Sequence, residues 1–180
     1  MTVTQNKQVS FTMPQAFRKA FFKVVPYEER PDFLSSQFDN SIHDSGLFER
    51  ELFKTARHLY DGEVVLKWEM AKVKNNTADT FFMYPSTDKQ YTLAYSDDNG
   101  DEQFDILDNK MFGLIITIIT LDESSCRGSE EQEFATLLSN HSAALYKAID
   151  DCMVSIDDGS NAELRKQLIA MFELIEKHTE

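Results

Sequence analysis

The sequence predicts an α+β fold, in which a small antiparallel β-meander of roughly three to four strands, at about 63–107, packs against helices. Two observations lead to this prediction. The middle of the 180-residue chain contains segments rich in β-branched and aromatic residues, separated by polar turns. On both sides of this region, apolar residues recur at helical spacing.

Composition and charge limit the class of protein. With 42% hydrophobic and 27% charged residues, the chain is too apolar for general disorder. Its formal net charge of -13 repels nucleic-acid phosphates and anionic lipids, so we expect a basic partner and no direct nucleic-acid binding. The first thirty or so residues lack the apolar core of a signal peptide, and Cys126 and Cys152 form no metal or disulfide pattern. We therefore predict a cytoplasmic protein.

Two helical candidates precede the strands. Segment 17–25 fits either a helix or an extended edge strand, and its pattern leaves the choice open. The segment GLFERELFKTARHLYDG is predicted to be an amphipathic helix with Phe48 and Leu52 in its apolar stripe. Ser45 is its predicted N-cap, and Gly62 lies just past its predicted end.

The predicted strands are the segments EVVLKWEMAKV, DTFFMYP and QYTLAYS, followed by QFDIL. Asn99 and Gly100 predict a hairpin turn before the last of these segments. Asp97, Asn99 and Asp101 alternate as they do in a calcium loop. The glycine and the closing acidic residue do not stand at the positions that a calcium loop requires, so a hairpin turn is the better interpretation.

The apolar run over 111–121 follows the strands. Its roughly eleven residues are too few for a membrane span, which needs about twenty. As a strand it would require both faces to be buried. As a helix it would have Asp108 as its N-cap and a narrow stripe of small residues formed by Gly113, Thr117 and Thr120. The pattern alone does not decide between strand and helix.

Two further helices are predicted in the last part of the chain. The first opens at Ser129 and carries Phe134, Leu138 and Ile149 at helical spacing. The second covers AELRKQLIAMFELIEKH, with Leu168 in its apolar stripe.

No residues of the sequence stand at the spacing of a familiar catalytic, metal-binding or cofactor-binding motif. The four histidines are scattered, and Cys126 lacks the flanking residues of nucleophilic cysteines. We therefore predict no catalytic residue, no cofactor and no metal site. An enzyme whose site is assembled from scattered residues near Cys126 or His141 stays as an alternative.

Acidity is the remaining signal. Clustered carboxylates could present a phosphate-like pattern of charge to a DNA-binding enzyme, and they could equally be a solubilising surface with acidic helix starts. The acidic candidates for partner binding are Asp97, Asp98, Asp101, Glu102, Asp157 and Asp158.

Five segments, read in order, resemble the ArdB/KlcA antirestriction family of plasmids, phages and genomic islands. The resemblance spans about 17–150, but the double glycine after the family's first helix is reduced here to Gly62, and its His-Pro-Glu near the end is missing. The matching segments are VPYEERPDFLSSQF (Val25–Phe38), YDG (Tyr60–Gly62), TFFMYP (Thr80–Pro85), FGLIITIITL (Phe112–Leu121) and ALYKAID (Ala144–Asp150).

The resemblance implies an α+β protein with about five helices, including a buried helix at about 109–122. It also implies an antirestriction-like domain over 1–150, followed by a C-terminal helical extension over 151–180 that packs on the same domain. Among the matched positions Arg30 and Asp150 are the polar exceptions, and both are candidates for partner binding.

The function implied by the resemblance is relief of type I restriction of incoming DNA, without enzymatic activity. The partner would be the restriction enzyme complex or a protein that regulates it, and the protein could be a monomer or a dimer. The alternative of the same class is an acidic regulatory or DNA-mimic binding module of a mobile element.

Overall fold

The computed structural model describes residues 10–60, 67–74, 79–97, 99–126, 132–155 and 162–179. Helices and two small sheets share one buried core, which confirms the α+β fold. The helices are α1 (Gln15–Phe21), α2 (Arg30–Ser36), α3 (Ile42–Leu59), α4 (Asn109–Cys126), α5 (Gln132–Ser155) and α6 (Ala162–Thr179), with a 3-10 turn at Tyr27–Glu29. The strands are β1 (Ser10–Phe11), β2 (Phe22–Val24), β3 (Trp68–Lys74), β4 (Asp79–Pro85), β5 (Tyr91–Ser96) and β6 (Glu102–Leu107).

The strands β3 to β6 lie in the region predicted to be a meander, but they form two sheets. One sheet has the order β2-β3-β4 and is antiparallel, whereas the other has the order β1-β6-β5, with β1 parallel to β6. The break falls between β4 and β5 because α4 occupies the edge of β4. The Thr117 hydroxyl accepts a hydrogen bond from the Met83 amide at 3.0 Å and donates to the Met83 carbonyl at 3.3 Å.

Segment 17–25 contains both of the structures that its pattern allowed. Helix α1 ends at Phe21, and β2 follows at once as an edge strand that pairs Phe22 with Val73 and Val24 with Ala71 of β3. The segment therefore changes from helix to strand within a few residues.

Helix α3 begins earlier than predicted, and Ser45 as its N-cap was wrong. Ser41 is the N-cap, since its hydroxyl accepts a hydrogen bond from the Asp44 amide at 3.1 Å. Two left-handed residues, Asp39 and Asn40, end the preceding turn and place Ser41 in the extended conformation that a cap requires. Ser45 is buried inside the first turns of the helix. The predicted end at Gly62 lies outside the described residues.

Helix α4 confirms the buried helix predicted at about 109–122. Asp108 caps it, since its carboxylate accepts a hydrogen bond from the Met111 amide at 2.8 Å. All residues over 111–121 are buried. A Cβ atom on Gly113 would lie 2.3 Å from the Met83 carbonyl oxygen and from the Tyr84 Cβ, so α4 and β4 touch at this glycine. Tertiary packing thus overrides the strand propensity of the β-branched residues.

Helices α5 and α6 cover the remaining side of the core. Phe134, Leu138 and Ile149 of α5 and Leu168 of α6 are buried, as their spacing indicated. The boundary predicted at 150 between domain and extension falls inside α5. Helix α6, which belongs to the predicted extension, packs on both α4 and α5. The predicted helix start at Ser129 lies outside the described residues. None of the described helices combines the length and the hydropathy that a bilayer span requires.

Candidate functional site

A surface cleft of about 1100 Å³ opens between the 3-10 turn with α2, the first half of α3 and the start of β3. Its rim carries Tyr27 and Ile42, which are 78% and 82% exposed. These are the two most exposed large hydrophobic side chains of the described residues. Isolated exposed apolar residues are common, but these two line the same concave surface, which makes it a candidate binding site.

Arg30 forms one wall of the cleft and joins α2 to β3. Its guanidinium donates hydrogen bonds to the carbonyls of Val25 and Trp68, both at 3.2 Å, and forms an ion pair with Glu69. It also lies 5.2 Å from the centre of the Tyr27 ring. Because its planar group is engaged on several sides, Arg30 fixes the shape of the wall.

Helix α3 forms the opposite wall. Ile42, Gly46, Glu49 and Phe53 line the cleft and are spaced so that they share one face of the helix. A Cβ atom on Gly46 would meet nothing within 4 Å, so the glycine leaves open space at this point of the wall. This face lies beside the buried stripe that holds α3 to the core.

Glu49 is a half-buried carboxylate in this wall. Burial raises its pKa above the ordinary value of 4.5. Within the described residues it forms no hydrogen bond or ion pair. Glu51, two residues along the same helix, differs: it pairs with Lys54 at 2.7 Å and with Arg50 at 3.5 Å, and the pKa of its carboxyl is lowered mainly by the hydrogen bond from Lys54.

The other predicted partner-binding residues lie elsewhere. Asp97 closes the predicted hairpin turn, since its carboxylate accepts hydrogen bonds from the amides of Asn99 and Asp101 at 2.9 and 3.0 Å. Asp101 and Glu102 are exposed beside this turn. Asp150 is exposed on α5 and lines a separate surface cavity of about 640 Å³. Asp98, Asp157 and Asp158 lie outside the described residues. Arg30 is therefore the one sequence candidate of the described part that lines the cleft.

His141 and Cys126, the residues of the enzyme alternative, form no hydrogen bond with each other in the described part of the chain. His141 is 9% exposed, and its two ring nitrogens lie 3.0 Å from the Thr80 hydroxyl and 2.8 Å from the Gln37 carbonyl. Burial lowers its pKa, and the Gln37 carbonyl opposes this in part. A histidine held in this way joins β4 to the turn after α2. Cys126 is exposed at the end of α4.

A buried charged cluster at the end of α6 was missed by sequence analysis. Asp105 of β6 is 1% exposed and accepts hydrogen bonds from Lys177 at 2.7 Å and from His178 at 3.0 Å. Burial works to raise the pKa of Asp105, but these two hydrogen bonds outweigh it and hold the pKa below 3.8. Side chains alternate between the two faces of β6, so Asp105 lies on the same buried face as Leu107. This spacing was the signal in the sequence that Asp105 is buried.

The cleft is lined by apolar, aromatic and charged side chains. The described residues contain no group of three or more histidine, cysteine or acidic side chains that could hold a metal ion. Sequence analysis missed Glu49 and Phe53, although their spacing from Gly46 and the unusual glycine inside an amphipathic helix were visible signals.

Compared with known proteins, the chain matches no protein-family model and no curated protein.

Proposed function

We propose that this protein relieves type I restriction of incoming DNA for a mobile genetic element, by binding the restriction enzyme complex or its regulator without enzymatic action. The observation that carries the proposal is the cleft, because its first wall is built by Val25–Phe38, the longest segment that resembles the ArdB/KlcA family. In this interpretation Arg30 gives the wall its shape, and the exposed rim contacts the partner.

Three of the other four resembling segments support the same unit, and of the fourth, Tyr60–Gly62, only Tyr60 lies within the described residues. Thr80–Pro85 is β4 and Phe112–Leu121 is the buried part of α4, and the two meet at Gly113. Ala144–Asp150 lies in α5, which packs on α4 and on β4. The segments thus adjoin in space as well as in order, as they would if the resemblance reflects a shared domain.

Two observations favour binding in the cleft over the alternatives. His141 has both ring nitrogens beside polar partners, so it is poorly placed to act as a base near Cys126. The carboxylate of Asp97 accepts hydrogen bonds from the amides of its own turn, so it is less able to accept hydrogen bonds from a partner as a phosphate mimic would. The formal net charge of -13 still favours a basic protein surface as the partner.

The test is the plating efficiency of unmodified phage on strains that carry a type I restriction system, with and without this protein. We expect plating to rise when the protein is expressed, and unchanged plating across several type I systems would contradict the proposal.

A variant that fills the cleft links this activity to the site. Gly46→Trp places a large side chain in the open space of the α3 wall, so we expect it to lose the relief of restriction. Val154→Trp is the matched control, since Val154 is 68% exposed on α5 and does not line the cleft. Equal relief by both variants would show that the cleft is not the binding site.

A further inference from the structure

The charges of the cleft are unbalanced. Arg30 is already engaged by Glu69, and Glu49 has no cation paired with it in the described part of the chain. The charged residues that line the cleft are Glu28, Asp32, Glu49, Glu69, Arg30 and Lys67. With four carboxylates and two cations, the cleft is complementary to a positively charged group.

The surroundings of Glu49 favour one kind of cation. Phe53 lies one helical turn further along α3, and its ring packs directly against that of Trp68, with the ring centres 5.8 Å apart. A carboxylate and an aromatic face each attract a cation, and both attractions grow when water is excluded. A guanidinium or ammonium group at the end of an apolar stem fits this arrangement.

The rim of the cleft indicates that the cation belongs to a protein segment. Tyr27 and Ile42 extend the apolar surface beyond Glu49, and the cleft of about 1100 Å³ is much larger than one side chain requires. A free small cation would leave this apolar surface in water, whereas a segment with apolar neighbours would cover it.

We propose that the cleft binds a segment of the partner protein in which an arginine or lysine is flanked by apolar residues, with the cationic group paired to Glu49 beside the packed rings of Phe53 and Trp68. The inference rests on the proposed function for the identity of the partner, since it specifies which surface of the restriction complex or its regulator would be contacted. Glu49 and the aromatic pair then act as the specificity determinants of the cleft.

The test uses the full chain as bait in a selection from a library of random linear peptides displayed on phage. The affinity of the selected peptides is then measured by fluorescence, because Trp68 is the single tryptophan of the chain and lines the cleft. We expect the selected peptides to carry arginine or lysine between apolar residues. Replacing that arginine by neutral citrulline should weaken binding about tenfold or more, as expected when a desolvated charge pair loses one partner.

Glu49→Gln and Glu51→Gln form a matched pair of variants on one helix. Glu49→Gln should remove the preference for arginine over citrulline, whereas Glu51→Gln should keep it, since Glu51 does not line the cleft. Glu49→Gln retains the size of the side chain and removes a poorly solvated charge, so we expect it to fold. Selected peptides without a cationic residue, or a Glu49→Gln variant with unchanged preference, would overturn the inference.

The same variants separate this inference from the proposed function. If wild-type protein relieves restriction but its arginine preference does not depend on Glu49, the inference fails and the proposed function stands. If the preference depends on Glu49 but wild-type protein never relieves restriction, the cleft has the predicted specificity and the proposed function fails. A polyamine such as spermidine that binds as tightly as the selected peptides would show a small cation as the occupant and overturn the inference.

Discussion

Helices α3 and α4 each contain an interior glycine, and the two glycines have opposite surroundings. At Gly113 of α4, a Cβ atom would come within 2.3 Å of the Met83 carbonyl oxygen, so the backbone of β4 leaves room for glycine alone. At Gly46 of α3, nothing lies within 4 Å of the same position. Glycine in a helix interior costs about 1 kcal/mol relative to alanine. At Gly113 close packing accounts for this cost, and at Gly46 packing does not.

The polar groups beside the two glycines differ in the same way. Next to Gly113, the Thr117 hydroxyl exchanges hydrogen bonds with the amide and the carbonyl of Met83. Three residues after Gly46, the Glu49 carboxylate is half-buried and forms no pair within the described residues. The surface around Gly113 is therefore completed by the chain itself, whereas the surface around Gly46 stays open within the described residues.

The largest expected effect is at the completed surface. Gly113→Ala forces α4 away from β4, because the atoms that the new Cβ would meet include backbone atoms of Met83 and Tyr84. We expect a loss of about 3 kcal/mol in the free energy of unfolding, the upper part of the usual range for overpacked cores. Urea denaturation measures this loss. A change below about 1 kcal/mol would show that the two elements are not in close contact.

The charged cluster of α6 is a second completed surface and should be nearly as sensitive. Asp105→Asn retains the shape but weakens two charge-assisted hydrogen bonds, so we expect a loss of about 2 kcal/mol at neutral pH. Because the pKa of Asp105 is lowered by folding, its contribution is present above 3.8 and is lost as the pH falls through the folded value.

Asp79→Asn is the control for this cluster. Asp79 pairs with Lys72 at 2.9 Å, but half of its side chain is exposed, so its loss should change stability by less than about 0.5 kcal/mol. Equal effects of the two substitutions would contradict the assignment of the cluster as a structural link.

His141 should make folding sensitive to mild acid. Its pKa is lowered by burial, so its neutral form stabilises the fold above its ordinary value of 6.5, and this contribution is lost as the pH falls towards the folded value. His141→Gln should cost about 1.5 kcal/mol at neutral pH and reduce the acid sensitivity. Urea denaturation at a series of pH values measures both. An unchanged pH profile would show that His141 is not buried in its neutral form.

The smallest expected change at a glycine has the opposite sign. Gly46→Ala should raise the free energy of unfolding by about 0.5 to 1 kcal/mol, because alanine has the higher helix propensity and its Cβ atom meets open space. Thermal denaturation measures the gain. A loss of stability would show that the α3 wall is packed rather than open.

More of the completed surface around Gly113 than of the open surface around Gly46 could be predicted from the sequence. The cap at Asp108 and the close approach at Gly113 could be predicted, because a buried helix needs an N-cap and a glycine in a small-residue stripe permits close packing. The division of the strands into two sheets could not be predicted. It depends on Thr117 taking the edge of β4, and a hydroxyl in an apolar helix gives no sign of its partner.

The candidate site was harder to predict because its two walls are distant in sequence. Arg30 was identified through a family resemblance, whereas Glu49 and Phe53 stand among ordinary exposed residues of an amphipathic helix. Their significance arises from Trp68, which is distant in sequence and whose ring the fold packs against that of Phe53 in the cleft. The acidic clusters were predicted as partner-binding candidates because of their charge. Charge alone does not show whether a carboxylate already has a hydrogen-bond partner within the chain. Asp97 has such partners, in the amides of its own turn.

The most direct test of the cleft as an open surface is the stability of Glu49→Gln as a function of pH, measured by urea denaturation beside the wild type. Folding raises the pKa of Glu49, so its charge opposes folding at neutral pH, and this cost is lost as the pH falls through the folded value towards 4.5. We therefore predict that Glu49→Gln is more stable than the wild type at neutral pH and that the difference disappears in acid. A Glu49→Gln variant that is less stable at neutral pH would mean that the chain itself supplies a partner for this carboxylate, and that result would contradict the cleft as an unfilled binding surface.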